Sequence, residues 1–501
     1  MNQTTIIPPS AGDPRAPAYP VCSHPASHRR PFVVLPTFGT VGDLEPFILM
    51  ARGLEARGYR VCLVATRDHA ARLLETGLPH RLYGTVAQVE AVLDDPDLWD
   101  ERKGLAVIGR GLADVMGEVA AGIASLTADG PSVALCHPFM LPAADIARAR
   151  RPALRVVGTW LAPSNIRSVH DPLTLGPRRI PAWIPLSWRR ALWRFVDRNW
   201  IDNVMLPGIN AVRAAHRMAP AHHFVDHLGL SCDASIGLFP RWFAQCAPDW
   251  PTPFSEAGFP LEARKEPTDL GPEIRRFLDA GAPPVVVTLG TGMRHARTTF
   301  ESTATALCAL GRRGLFISRH HAQKPDHLPP GSLWVPHVPF ADLLPLSAAI
   351  VHHGGIGTSA QALRAGIPQL VVASGFDQFD NGERLRSLNV ADMLRATKAT
   401  SGGIRCRLTR LLESSATRDA CAAAKKRLEG GDQPRRFLDG VEAAISMCFD
   451  VGISNDAQYQ DFMNQDKPAL RLQFCKAWHL VIERTFKRPL RALLPAAPVE
   501  R

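Results

Sequence analysis

Two stretches of the chain repeat the same alternation of a short apolar segment with an amphipathic helical segment. The first begins at Pro31 and contains the apolar segments "PFVVLPTFG", "YRVCLVAT", "SVALCHP" and "ALRVVGTWL". The second contains "PPVVVTLGTG", "RGLFISRH", "SLWVPHVP", "AAIVHHGG" and "PQLVVASG". Repeated strand–helix–strand units build parallel sheets that are covered by helices. The sequence therefore predicts an α/β protein with two Rossmann-like domains that face a central cleft, where strand ends usually hold a ligand.

The predicted domain boundaries follow from these two series. Residues 31–255 form the first domain, residues 256–280 a linker, and residues 281–450 the second domain. Residues 1–30 are rich in Pro and Ala, which is typical of a disordered leader.

Residues 451–501 fall outside the two series and form a basic C-terminal tail. Phe474, Trp478, Val481, Ile482 and Phe486 recur at helical spacing, and residues 467–501 hold eight Lys or Arg against two Glu. Such a helix can lie on an anionic membrane surface. It can equally pack on the body of the protein with its basic face in water, and the sequence leaves both readings open.

Composition and charge narrow the class of partner. The formal net charge of +11 favours anionic partners such as nucleotides and acidic lipids. No zinc finger, RNA-binding signature or long basic block is present, so no nucleic-acid partner is expected. No run approaches the ~18 apolar residues of a membrane span, and the ten cysteines form no C-x-x-C pair. These features predict a cytoplasmic protein with reduced thiols, which could contact the inner face of the cytoplasmic membrane through its tail.

A glycine-rich turn in the second series, "VHHGGIGTSA", predicts a phosphate site. Residues 355–360 match the dinucleotide pattern G-x-G-x-x-G/A, so a nicotinamide-dependent enzyme is one candidate. However, the next strand ends in "VVASG" and lacks the acid that would hold the ribose. A nicotinamide site and other diphosphate sites share one feature, a helix N-terminus whose backbone N–H groups and dipole favour a diphosphate.

Segments on both sides of this turn point to another class of ligand. "WVPHVPFADLLP" (334–345), the turn itself and "FDQFDNGERL" (376–385) together resemble the donor-binding half of family-one glycosyltransferases with the GT-B fold. "PTFGTVGDLEP" resembles the first strand–turn–helix of bacterial members that act on antibiotics, sterols and lipids. "LFPRWFAQCAPDWPTP", "DDPDLWD" and "LWRFVDRNWIDNVMLPGINAVR" are similar to the rhamnosyltransferase family that forms the catalytic subunit of mono-rhamnolipid synthases. The resemblance covers about residues 31–445.

This resemblance implies a substrate pair and a reaction. The family transfers L-rhamnose from dTDP-L-rhamnose to 3-(3-hydroxyalkanoyloxy)alkanoic acids, which yields mono-rhamnolipids with inversion at the anomeric carbon. The first domain would bind the lipidic acceptor and the second domain the nucleotide sugar. A functional pairing with the acyl-forming subunit of the rhamnosyltransferase is implied as a partner, and no cofactor is required.

The resemblance also assigns roles to residues. Asp43 is the general base, although an Asp there can also simply cap the following helix, and Glu45 is the fallback. The expected contacts of the diphosphate are His352, Gly354, Gly355, Gly357, Thr358 and Thr291; those of the nucleobase are Trp334, His337 and Val338; those of the sugar are Asp377 and Gln378.

Two further assignments come from residue types. Asp95-Pro-Asp97 spells a D-x-D metal motif, but it lies in the acceptor half and opens a helical stretch, so no metal is expected. Trp183, Trp188, Arg189 and Trp193 could line an apolar acceptor groove that supplies a cation for a carboxylate. Ordinary packing of an amphipathic helix explains these residues equally well.

Two rival functions remain at the level of sequence. One is a UDP-sugar-dependent glycosyltransferase that acts on a sterol, a macrolide or another lipophilic acceptor. The other is a non-catalytic sugar-nucleotide-binding subunit, which we would expect to have lost Asp43 or His352.

Overall fold

The structure, a computed structural model, describes residues 30–450 apart from 172–173, 177, 263–268 and 430–432, together with two short strands nearer the N-terminus. The strands are β1 (Thr5–Ile7), β2 (Tyr19–Val21), β3 (Phe32–Pro36), β4 (Val61–Thr66), β5 (His80–Tyr83), β6 (Ser132–Cys136), β7 (Leu154–Trp160), β8 (Thr174–Leu175), β9 (Arg178–Arg179), β10 (Ala234–Gly237), β11 (Phe254–Glu256), β12 (Val285–Thr288), β13 (Gly314–Ile317), β14 (Leu333–Val335), β15 (Ala349–His352), β16 (Gln369–Ala373) and β17 (Ala391–Arg395).

The helices alternate with these strands. They are α1 (Val41–Ala56), α2 (Ala70–Thr76), α3 (Val86–Asp94), α4 (Gly104–Leu126), α5 (Leu141–Arg150), α6 (Leu186–Val196), α7 (Asp202–Ala215), α8 (Phe224–Leu230), α9 (Pro272–Asp279), α10 (Arg297–Ala309), α11 (Phe340–Leu343), α12 (Ile356–Ala365), α13 (Gln378–Ser387), α14 (Ser401–Glu413), α15 (Ser415–Glu429) and α16 (Gln433–Asp450).

The first domain is built on a seven-stranded sheet in the order β11-β10-β7-β6-β3-β4-β5. Every strand pair in this sheet is parallel, with Val34 of β3 opposite Cys62 on one side and Ala134 on the other. All six residues of β4 are buried. Continuous apolar strands of this kind are buried on both faces by helices, which is what the first apolar series predicted.

The second domain contains a six-stranded parallel sheet in the order β14-β13-β12-β15-β16-β17. The strand order reverses between β12 and β15, so the turns after these two strands flank a crevice at the carboxyl edge of the sheet. Such reversals are where open α/β sheets hold their ligands. The glycine-rich turn directly follows β15.

The last described helix, α16, returns to the first domain. Phe437 and Val441 share a buried apolar cluster with Leu54 of α1. Gly53 makes room for the approach, because a Cβ at that position would lie 2.1 Å from a methyl carbon of Leu438. The predicted range 281–450 is continuous in sequence, but its final helix therefore packs on the first domain.

Three other predicted segments differ from expectation or lie outside the described residues. The predicted linker 256–280 includes α9, whose Ile274 is buried with Val286 of the second sheet. The predicted leader 1–30 contains the antiparallel pair β1–β2, which is formed by Thr-Ile-Ile and Tyr-Pro-Val. The tail 451–501 lies outside the described residues.

Among the described residues, no helix combines the length and apolar character needed to cross a bilayer.

The position of α16 generates a test of stability. Replacing Phe437 with Ala empties a fully packed site, so we expect it to cost about 3–5 kcal/mol and to lower the midpoint of chemical unfolding. Phe449→Ala on the same helix is the matched control, because Phe449 is 38% exposed whereas Phe437 is 1% exposed. Equal midpoints for the two variants would show that α16 is not anchored on the first domain.

Candidate active site in the cleft between the two sheets

Loops that follow the strand ends of the two domains meet in one cleft. The start of α1 touches the loop after β12, where a Cβ on Gly292 would lie 2.7 Å from Cγ2 of Thr40. Trp99 donates from Nε1 to the carbonyl oxygen of Gly292 at 3.2 Å, and Arg294 donates to Asp94 Oδ1 at 2.6 Å. The "DDPDLWD" segment of the first domain therefore borders the cleft.

One carboxylate oxygen of Asp43 caps α1 and the other lies toward His137, while its role as the general base stays a prediction. Its Oδ2 accepts from the backbone N–H of Thr40 at 2.8 Å and from the Thr40 hydroxyl at 3.2 Å, which caps α1. Its Oδ1 lies 3.8 Å from Nε2 of His137, and the side chain as a whole is 35% exposed. Gly39, with φ of +112°, is required here because a Cβ would lie 2.4 Å from Asp43 Oδ2.

Glu45, the fallback base, is engaged elsewhere. Its two carboxylate oxygens accept from Nε and Nη2 of Arg72 at 2.7 and 3.1 Å. A carboxylate held in a two-point pair with a guanidinium is a poor proton acceptor, so the geometry favours Asp43.

The glycine-rich turn presents backbone donors to the cleft. Helix α12 has no side-chain cap, so the N–H groups of its first turn, at Ile356, Gly357 and Thr358, are left for a ligand. Gly354 has φ of +97°, and a Cβ on Gly357 would meet no atom within 4 Å. An open, uncapped helix N-terminus of this kind suits a diphosphate.

His352 does not face the cleft, in contrast to the prediction that it contacts the diphosphate. Its side chain is fully buried, its Nδ1 accepts from the Gly354 N–H at 3.2 Å, and its Nε2 pairs with Gln369 Oε1 at 3.0 Å. Burial lowers its pKa to about 3, so it is neutral. His352 shapes the turn, and the physical reason is that β15 places it on the buried side of the strand.

His353, the next residue, occupies the cleft instead. Its ring lies between two glycines: a Cβ on Gly290 would be 2.8 Å from Cε1, and a Cβ on Gly355 would be 2.5 Å from Nε2. Its Nδ1 has no hydrogen-bond partner among the described residues. Burial lowers its pKa to about 4, and only the charge of Asp43 opposes that shift. A neutral imidazole with a free ring nitrogen therefore lies beside the turn and within the field of Asp43.

Asp377 and Gln378 have different environments, although both were predicted to bind the sugar. Asp377 is partly exposed, accepts from Nδ2 of Asn381 at 2.7 Å, and has its pKa raised to about 7, first by burial and then by the charge of Asp43. Gln378 is 1% exposed, and its Oε1 accepts from the backbone N–H of Ser374 at 2.8 Å. Asp377 can contact a ligand, whereas the carbonyl oxygen of Gln378 holds the preceding loop.

The predicted nucleobase residues lie along the strand and loop at the edge of the second sheet. Trp334 is half-buried and stacks on Phe316, with ring centroids 6.4 Å apart. His337 is exposed, and partial burial together with Arg319 and Arg72 lowers its pKa. Val338 is 1% exposed. Thr291, a predicted diphosphate contact, is exposed on the loop that follows β12. Their contacts with a donor stay a prediction.

The residues proposed to line the acceptor groove separate into two groups. Arg189 and Trp193 are buried on one face of α6 with Leu192 and Val196, and Arg189 donates from Nη1 to the carbonyl of Val169 at 2.8 Å. Neither is positioned to bind an acceptor, because the helix uses this face for packing. Trp183 is 79% exposed and Trp188 is half-buried, so they stay as candidates.

Both aspartates of the D-x-D segment form ion pairs. Asp95 pairs with Arg110 at 3.2 Å, and Asp97 pairs with Lys103 at 3.0 Å. In the part of the protein that the structure describes, no group of His, Cys, Asp or Glu has the arrangement of a metal site.

Besides His353, sequence reasoning missed two side chains of the cleft. His137 directly follows β6 in "SVALCHP", and a polar residue at the end of a buried parallel strand is a signal that could have found it. Phe376 precedes Asp377, has a positive φ of 52°, and packs edge-on against Trp99 with centroids 5.5 Å apart. A phenylalanine whose backbone has a positive φ cannot be recognised from the residue order.

Comparison with known proteins identifies the class. Residues 33–101 match the glycosyltransferase family 28 N-terminal domain, and residues 315–436 match the C-terminal domain of erythromycin biosynthesis protein CIII-like proteins. O-mycaminosyltylonolide 6-deoxyallosyltransferase of Streptomyces fradiae is 28% identical over 386 residues, which cover 72% of the present protein and 84% of that relative.

Solved structures show the same architecture. The glycotransferase of kitacinnamycin superposes with a TM-score of 0.61 at 22% identity, and the match covers 83% of the present protein and 99% of that structure. The spinosyn rhamnosyltransferase SpnG complexed with thymidine diphosphate gives 0.55 at 17% identity and covers 82% and 100%. The predicted GT-B fold is thereby confirmed.

The protein is a GT-B glycosyltransferase. It is similar to antibiotic glycosyltransferases along most of its length, and residues 315–436 are the part that matches the erythromycin CIII-like C-terminal domain.

The packing of the His353 ring between Gly290 and Gly355 leads to a test of nucleotide binding. Gly355→Ala places a methyl group against the His353 ring, so we expect thymidine diphosphate to bind about 10-fold more weakly in calorimetry, the loss of roughly one hydrogen bond to a charged group. The control is Gly402→Ala, because a Cβ there meets no atom within 4 Å. Unchanged affinity in Gly355→Ala would exclude His353 from the nucleotide site.

The raised pKa of Asp377 generates a test of pH dependence. The folded protein keeps the proton to about pH 7, whereas the unfolded chain releases it near pH 4. The unfolded state therefore binds fewer protons between these values, so this group makes stability fall as pH rises from 4 to 7. We expect Asp377→Asn to remove that slope in thermal unfolding at pH 5, 6, 7 and 8. The exposed Asp419→Asn should keep the wild-type slope, and an unchanged slope in Asp377→Asn would contradict the assignment.

Proposed function

We propose that this protein is an inverting rhamnosyltransferase that transfers L-rhamnose from dTDP-L-rhamnose to the hydroxyl of a 3-(3-hydroxyalkanoyloxy)alkanoic acid. The observation that carries the proposal is the cleft itself, where Asp43 and His353 interact electrostatically across it beside the uncapped N-terminus of α12. A base and an anion site that face each other are the two elements that glycosyl transfer with one displacement needs.

The reaction would proceed in a single displacement. Oδ1 of Asp43 accepts the proton of the acceptor hydroxyl while the hydroxyl oxygen attacks the anomeric carbon. The bond from that carbon to the diphosphate oxygen breaks, and thymidine diphosphate leaves with the electron pair. Its developing charge is stabilised by the N–H groups of Gly357 and Thr358 and by a hydrogen bond from the neutral imidazole of His353. Because attack and departure occur on opposite faces, the anomeric configuration inverts.

The surroundings of Asp377 support a deoxysugar donor. Asp377 offers a polar contact for sugar hydroxyls, while the adjacent Phe376 is 41% exposed and lies against Trp99. The C6 methyl group of L-rhamnose is apolar and would fit such an aromatic pair better than the hydroxymethyl group of glucose does. Similarity to a spinosyn rhamnosyltransferase of the same fold is compatible with this choice.

The lipidic acceptor rests on the sequence resemblance and on the exposed Trp183. The same resemblance underlies a functional pairing with the acyl-forming rhamnosyltransferase subunit. Contact with the inner face of the cytoplasmic membrane, which completes the proposal, rests instead on the basic sequence of residues 451–501. A UDP-sugar-dependent enzyme for a sterol or macrolide is the competing function. A non-catalytic sugar-nucleotide-binding subunit is disfavoured because Asp43 is present and accessible.

The deciding experiment combines donor and acceptor in pairs. The purified protein is incubated with dTDP-L-rhamnose or UDP-glucose, and with hydroxyalkanoyloxyalkanoate, a macrolide aglycone or a sterol, and products are followed by mass spectrometry. We expect mono-rhamnolipid from dTDP-L-rhamnose with hydroxyalkanoyloxyalkanoate and no product from the other combinations. Asp43→Asn is the matched control, which should reduce turnover by at least about 100-fold while thymidine diphosphate still binds. Glucosylated sterol or macrolide without mono-rhamnolipid would overturn the proposal.

A further inference from the structure

His137 lies next to Asp43 because their strands are neighbours. It follows β6, its backbone N–H donates to the carbonyl of Pro36 at the end of β3 at 3.0 Å, and Asp43 lies in the helix that follows β3. The ring of His137 is 7% exposed and lies against Phe47 and Phe139, with centroids 6.3 and 5.6 Å apart. These contacts fix the ring at the edge of the sheet.

The hydrogen bonds of His137 determine which ring nitrogen carries the proton. Nδ1 accepts from the backbone N–H of Phe139 at 3.2 Å. A neutral imidazole that accepts at Nδ1 carries its hydrogen on Nε2. Nε2 is the nitrogen that lies 3.8 Å from Asp43 Oδ1, the carboxylate oxygen that Thr40 does not occupy.

We propose that His137 is a positioning residue whose Nε2–H orients the reactive oxygen of Asp43 toward the acceptor. At 3.8 Å the N–H dipole already acts on the carboxylate, and a movement of about 1 Å brings the pair to hydrogen-bond distance. The inference rests on the proposed role of Asp43 as the base. Thr40 at the N-cap of α1, His353 after β15 and Asp377 after β16 also interact with this carboxylate.

Two substitutions separate this role from a purely structural one. In His137→Gln the amide nitrogen of the side chain falls near the position of Nε2, so the donor toward Asp43 is kept. In His137→Asn the side-chain oxygen falls near the position of Nδ1, so the bond from the Phe139 N–H is kept and the donor toward Asp43 is lost. If His137 only supports the local structure, His137→Asn should reduce activity less than His137→Gln. If His137 orients Asp43, His137→Gln should reduce activity less.

We expect His137→Asn to lower kcat by about 10- to 100-fold, the range for losing a hydrogen bond to a charged group, with little change in the KM for the donor. His137→Gln should keep most of the activity. In the Asp43→Asn background, His137→Asn should have no further effect, since both changes act through one carboxylate.

A second readout does not depend on turnover. In ¹⁵N spectra of the histidine rings, assigned by the loss of signal in His137→Asn, wild-type His137 should show the Nε2–H tautomer and Asp43→Asn should shift that signal. If no tested donor–acceptor pair is turned over but this shift is seen, the substrate assignment fails and the pairing stands. A Nδ1–H tautomer, no shift in Asp43→Asn, or a kcat of His137→Asn equal to or above that of His137→Gln would overturn the proposal.

Discussion

The cap that Asp43 forms on α1 is the interaction on which the rest of the site depends. Because Oδ2 accepts two hydrogen bonds from Thr40, the carboxylate cannot rotate without uncapping the helix. Oδ1 is therefore presented at a constant position at the edge of the first sheet. In the sequence, helix capping and the proposed role as a base are alternatives, but in the structure the capping bonds use only Oδ2 and leave Oδ1 for the proposed role. Local helix stability and the orientation of the base are thus the same physical feature.

The two parallel sheets bring this carboxylate to the anion site. Strand-end loops of the first domain reach those of the second, and ion pairs tie the domains on both sides of the cleft. Arg395 pairs with Glu101 at 2.5 Å, and Arg384 pairs with Asp171 at 2.6 Å. The return of α16 to the first domain adds an apolar connection. These long-range contacts fix the relative position of Asp43 and α12, which the composition of either domain alone does not determine.

The parts that local sequence determines were predictable, and the parts that depend on distant contacts were not. Continuous apolar strands and a glycine-rich turn identified both sheets and the phosphate-type turn, because strand burial and positive φ at Gly354 leave signals in the residue order. Successive side chains at the end of a strand point to opposite faces. The amino-acid sequence alone does not show which of these faces is the cleft, and therefore whether His352 or His353 lies in it. The packing of α16 depends on Gly53, nearly 400 residues earlier.

The negative charge of Asp43 affects the protonation of Asp377 in the same cleft. Asp43 and Asp377 both lie in the cleft, and the charge of Asp43 helps to raise the pKa of Asp377 to about 7. A diphosphate adds further negative charge, which favours the protonated form of Asp377. In that form Asp377 donates as well as accepts, as the hydroxyl groups of a sugar do. His353 is neutral for a related reason, namely burial. In the proposed mechanism, the dipoles of the α12 N-terminus and of the neutral His353 ring stabilise the leaving group.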